Sequence, residues 1–186
     1  MTAVTDELRV LQLVVSRLRA AGVEHMLTGS VAMAWYAEPR QTRDIDIVVE
    51  LPGSKVDEVV EAFSTDFYVD ADTARVEART RGMFNLIHSE LVLKVDMIIR
   101  KADAYGPVAF GRRRKVLMAP GLEVDIIAPE DLILAKLQWA LQGESDFQLR
   151  DVRNLMRSAF GLDEPYLREW AAKTGVGDLL AKVSTP

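Results

Sequence analysis

The chain has 186 residues, 49% of them apolar, a formal net charge of −5 and a mean hydropathy near zero. That supports one domain of ordinary size plus a small appendage, and argues against general disorder and against non-specific nucleic-acid binding over the whole surface. Cysteine is absent and the histidines are only His25 and His88, which excludes a disulfide framework, a thiolate metal site, a cysteine nucleophile and a histidine-rich zinc site.

Thr5 to Ala21 has the period of an amphipathic helix. Leu8, Leu11, Val15 and Leu18 form its stripe, Thr5 is its cap and Gly22 its stop. Asp6 and Glu7 at its start break any apolar leader, so no signal peptide is expected. Glu24 to Thr28 reads as a short strand. It runs into Gly29-Ser30 and then a helix over Val31 to Ala37. A strand, a Gly-Ser turn and a helix start outline an anion site, because glycine admits close approach and the first N–H groups of a helix are open. Ser30 is either a hydroxyl donor to that anion or simply an N-cap.

Pro39 ends the helix, and Thr42-Arg43-Asp44-Ile45-Asp46-Ile47-Val48-Val49-Glu50 follows as a strand. Alternation places Asp44, Asp46 and Val48 on one face and Ile45, Ile47 and Val49 on the other. Two carboxylates on one face repel, and a divalent metal relieves this; Mg²⁺ is usually held by one or two carboxylates together with substrate phosphates. The alternative is an acidic face turned to water. Arg40 and Arg43 flank the pair and either bind it or reach a phosphate.

Pro52-Gly53 turns the chain, and Lys55 to Phe63 fits a helix. Residues 65–80 carry no single period, with a short helix over Ala71 to Arg79. Met83 to Ile87 is a strand. Leu91 to Ile99 is a strongly apolar strand with one acid inside, Asp96, which shares a face with Lys94. A lone carboxylate there is costly unless paired or metal-bound. Beside the Asp44/Asp46 strand it brings three carboxylates together; alone it pairs with Lys94 or an arginine. Ala102 to Phe110 is a helix. Arg112 to Lys115 is a basic run, either a solvated turn or a contact for a polyanion. Val116 to Met118 and Val124 to Ile127 form a hairpin around Pro120-Gly121.

At Pro129-Glu130-Asp131 helix-start signals appear, and everything after has helical pattern. The domain boundary is placed there, dividing the chain into 1–127 and 128–186. Leu132 to Leu141 is nearly all apolar, so its one charge, Lys136, either snorkels or points at an acidic site or a phosphate. The expected fold class is α/β (α+β), a small mixed sheet flanked by helices with a C-terminal helical bundle.

Gly29-Ser30, thirteen residues, Asp44-x-Asp46 and a later strand carrying Asp96 stand in one order. This set resembles the polymerase-β-like nucleotidyltransferase superfamily. Residues 129–137, with Gln148 to Val152, resemble the tail of small bacterial minimal nucleotidyltransferases, including abortive-infection-type toxins. The resemblance implies that Asp44, Asp46 and Asp96 hold two Mg²⁺ ions, with Asp96 also a candidate base. Gly29 and Ser30 would hold a nucleoside triphosphate, with Arg43 and Lys136 as further phosphate contacts. The implied reaction moves a nucleoside monophosphate to an acceptor hydroxyl of tRNA, a protein or a small alcohol, releasing pyrophosphate. A cognate toxin or antitoxin is an implied partner. The other reading is a catalytically silent nucleotide-binding regulatory or antitoxin-like protein. No apolar run reaches the length of a membrane span, so the expected location is the cytoplasm.

Overall fold

The computed structural model describes residues 5–143 and 145–184. Helix α1 (Asp6–Ala20) is capped by Thr5, whose hydroxyl accepts from Leu8 N at 3.4 Å. Strand β1 (His25–Thr28) passes directly into α2 (Gly29–Tyr36), and β2 (Asp44–Val49) follows. Then come α3 (Val56–Phe63), β3 (Phe67–Val69), α4 (Ala71–Thr80), β4 (Met83–His88) and β5 (Lys94–Ile99). Next are α5 (Gly106–Gly111), the β6 (Arg114–Ala119) and β7 (Leu122–Ile126) hairpin, and α6 (Pro129–Gly143), α7 (Asp146–Ser158), α8 (Glu164–Lys173) and α9 (Gly177–Ser184).

The strands form one mixed sheet in the order β3-β4-β5-β2-β1-β7-β6. The β2–β5 and β1–β7 pairs are parallel and the others antiparallel. The expected α/β class is therefore the observed one. Ile45, Ile47 and Val49 of β2 are fully buried and join Leu11, Val14 and Leu18 of α1 in the core. The opposite face of β2 carries Asp44 and Asp46. Helix α2 packs on β1 and β2, and also against α6 and α7. One hydrophobic cluster runs from α1 through the sheet to α9.

Three elements differ from the sequence reading. The strand expected from Leu91 begins at Lys94, because Val92 sits at a φ of 51° and His88 N bonds to Leu93 O across a tight turn. The helix expected from Ala102 begins at Gly106, because Asp103 accepts from the N–H groups of Tyr105 and Gly106 and holds a turn there. Strand β3 has only three residues at the sheet edge, too few to show a period.

Candidate active site

Strand pairing assembles the site. Asp46 of β2 lies directly opposite Asp96 of β5 and, on its other side, opposite Thr28 of β1. Asn85 of β4 lies opposite Asp96. One row across four strands therefore reads Asn85, Asp96, Asp46, Thr28. Two residues toward the start of β2, on the same face, Asp44 lies opposite Lys94. Adjacent strands are about 4.8 Å apart, so paired carboxylates on one face are forced close together.

Gly29 explains how the helix start meets this row. Its φ is 65°, and a Cβ on it would fall 1.9 Å from Oδ2 of Asp46. No other residue fits while Asp46 holds this position, so the glycine and the aspartate are a matched pair. Thr28, the N-cap residue of α2, makes no side-chain cap bond, so the first-turn N–H groups lack that partner, and Thr28, Gly29 and Ser30 all line the pocket beside Asp46. A pocket of about 210 Å³ lies here, lined by Gly29, Ser30, Asp46, Asp96 and Lys136, with Trp139 and Gln148 among its walls.

The electrostatics are unbalanced. Asp96 is 7% exposed, and its Oδ1 is buried without a hydrogen-bond partner. Burial, then the charge of Asp96, pushes the Asp46 carboxyl above the ordinary carboxylate range. Lys94 Nζ stands 3.1 Å from Asp96 Oδ2 and 3.6 Å from Asp44 Oδ1. Burial disfavours that ammonium, but the hydrogen bond to Asp96 and the surrounding carboxylates outweigh it and raise its pKa. Among the described residues no group of three or more acids and histidines is set closely enough to cage a metal as it stands. Asp46 and Asp96 do offer hard oxygens, one of them orphaned, and this donor set suits Mg²⁺.

The remaining expected site residues divide. Ser30 is buried at the pocket, and its hydroxyl accepts from Arg40 Nη2. Arg40 also grips Asp151 through Nε and Nη2 and lies 4.3 Å over the Phe147 ring. Lys136 lines the pocket but donates to Asp151 at 2.7 Å and to Gln148 at 3.2 Å. It neither snorkels nor stands free; burial lowers its pKa, with the Asp151 bond opposing. Arg43 is exposed and outside the pocket walls. The basic run is partly used inside the fold, with Arg112 and Arg113 half-buried and Arg114 and Lys115 exposed. Arg112 pairs with Glu130 and Asp131, Arg113 with Glu24, and Lys115 with Glu123. Trp139, Gln148 and Asn85 are site neighbours that the sequence reading did not single out. Their places depend on tertiary docking and on strand register, which no local period encodes.

No family model matches the sequence, and no curated protein matches it. Solved structures do match over most of the chain. The antibiotic-resistance factor ANT(2'')-Ia is 14% identical, with 97% of this chain and 98% of that one covered at a TM-score of 0.58. A putative nucleotidyltransferase from Thermotoga maritima is 18% identical, covering 90% and 94% at 0.54. The lincosamide antibiotic adenylyltransferase LnuA, solved with lincomycin, is 15% identical, covering 82% and 97% at 0.53. The chain has the fold of these nucleotidyltransferases, as its ordered motifs led one to expect.

Proposed function

We propose that this protein is a nucleotidyltransferase that moves a nucleoside monophosphate from a nucleoside triphosphate to an acceptor hydroxyl and releases pyrophosphate. The observation that carries the reading is the row in which Asp96 and Asp46 stand side by side above Gly29 at the start of α2. Asp46 and Asp96 would hold Mg²⁺, with Asp44 completing the set. When bound, Mg²⁺ supplies charge neutralisation for the polyphosphate and a lowered pKa for the acceptor hydroxyl. The α2 N–H groups and Ser30 bind phosphate oxygens and fix the reacting phosphorus. Asp96 takes up the acceptor proton. Lys136, held by Asp151, adds positive potential to the pocket.

The structural neighbours favour a small hydroxylated acceptor. LnuA was solved with lincomycin, and ANT(2'')-Ia with adenylyl-2''-tobramycin. Arg112 and Arg113 of the basic run are paired within the fold, which leaves only Arg114 and Lys115 exposed for a polyanion such as tRNA. ATP is the donor to try first. A role in a toxin–antitoxin pair, with a protein acceptor, is the variant reading that the tail resemblance brings. The two-part division at 127/128 belongs to this proposal, with residues 128–186 closing the pocket through Lys136, Trp139 and Gln148.

The test incubates the protein and Mg²⁺ with each α-labelled nucleoside triphosphate and, separately, hydroxylated antibiotics, tRNA and cell-extract protein. Label transfer with pyrophosphate release is expected. Asp46→Asn should lower it by about 10³-fold or more, since several kcal/mol of charge stabilisation is removed and each 1.4 kcal/mol is tenfold. Wild-type rates in that variant would sink the assignment.

A further inference from the structure

Lys94 is the feature that the proposed chemistry does not use. It lies on the carboxylate face of β5, opposite Asp44 and two residues before Asp96. Its ammonium is within 4 Å of both acids, at 3.6 Å from Asp44 Oδ1 and 3.1 Å from Asp96 Oδ2. The three aspartates carry three negative charges when ionised, and Lys94 is the cation hydrogen-bonded among them. Lys136, the other nearby ammonium, gives its bonds to Asp151 and Gln148.

We propose that Lys94 is a resident counter-ion that occupies the cation position between Asp44 and Asp96 and has to leave before both carboxylates face a divalent metal. The inference rests on the reading of these aspartates as a metal site. A cation at about 3 Å from a carboxylate oxygen and a divalent ion on that same oxygen repel strongly, so both do not bind there together. Lys94 is also free to move: it is half-exposed at 38%, on a flexible four-carbon stem. Asp96 Oδ1 is the oxygen left over, so a metal has one buried ligand atom waiting and a second one guarded. Divalent binding without nucleotide is then weakened by the work of displacing Lys94. A triphosphate offsets that work by giving the released ammonium an anionic partner. The protein would thus take metal chiefly as the metal–nucleotide complex.

The test is Mn²⁺ binding to the nucleotide-free protein by calorimetry, alongside the thermal midpoint without metal. Lys94→Met and Lys94→Gln should tighten Mn²⁺ about tenfold or more, equivalent to about 1.4 kcal/mol. Both should lower the metal-free midpoint. Lys94→Arg, which keeps the charge, should bind Mn²⁺ like the wild type. If Lys94→Met does not fold, Lys94→Gln carries the comparison. Equal Mn²⁺ affinity in wild type and both neutral variants would overturn the counter-ion role and leave the metal site standing. No Mn²⁺ binding by any of them would overturn both.

Discussion

Gly29 and Asp46 set the tightest constraint in the site. Residues other than glycine held in the left-handed region cost of order 1–3 kcal/mol, and here a Cβ also meets the Asp46 carboxylate. Gly29→Ala should therefore destabilise the protein and abolish transfer together. Part of its stability cost should disappear in an Asp46→Ala background, because the nearest clashing atoms, Oδ2 and Cγ, are gone. Thermal denaturation of the four proteins closes that cycle, and simple additivity would mean that the clash is not the cause. Asp46 adds a pH signature. Its carboxyl titrates above the ordinary value because it is buried beside Asp96. A folded-state pKa raised above the unfolded one means the penalty is absent below the unfolded value and develops as pH rises through the folded value. Without metal, Asp46→Asn should thus raise the melting midpoint at neutral pH and lose that advantage below about pH 4. A variant less stable than wild type at pH 7 would contradict this. The aspartates and the glycine were legible in the sequence because alternation and a fixed order of motifs expose them. Their closeness was not, since it depends on the register of strands far apart in the chain.

At the scale of elements, the long helices and the core strands follow from their periods, whereas the joints between elements do not. Arg40 and Asp151 are 111 residues apart, yet Arg40 grips Asp151 with Nε and Nη2 while Lys136 takes the same carboxylate from α6. This clamp ties the α2–β2 loop, α6 and α7 around the pocket. The sequence left Lys136 open between an acidic partner and a phosphate; its bond to Asp151 depends on the docking of α7 on α6. The clamp predicts an asymmetry. Asp151→Ala leaves buried Lys136 and Arg40 facing each other without a carboxylate, and removing one partner of a buried pair costs about 3–5 kcal/mol. Lys136→Met leaves Asp151 with Arg40 and puts an apolar chain in an apolar helix, so its cost should be clearly smaller. Denaturant unfolding measures both. Equal losses would show that Arg40 does not sustain Asp151 by itself.

Across the whole molecule, a second charged network joins the sheet to the helical tail. Glu130 and Asp131, which read in the sequence as ordinary first-turn acids of α6, are 1% and 0% exposed. Asp131 accepts from Tyr105 Oη at 2.7 Å, Tyr166 Oη at 2.6 Å and Arg112 Nε at 3.0 Å. Glu130 accepts from Arg112 Nη2 at 2.8 Å and from the Asp163 N–H at 2.9 Å. The network therefore spans the segments around α5, the start of α6 and α8. The start of a helix favours such acids, but burial this deep demands a cation as well. Arg112 is the main cation, with Arg114 Nη2 at 3.8 Å from Glu130, so the first part of the basic run is committed to the fold while Arg114 and Lys115 stay exposed. Arg112→Met should leave buried Asp131 without a cation and Glu130 with only Arg114 at 3.8 Å, at a cost of about 3–5 kcal/mol. For a chain of this size that is a fall in the thermal midpoint of roughly 6–20 °C. Adding Glu130→Gln and Asp131→Asn should return part of the loss, because the stranded charges are then neutral and coupled sites do not add. If Arg112→Met shifts the midpoint by no more than a degree or two, the arginine is a surface charge, and the polyanion contact regains its place.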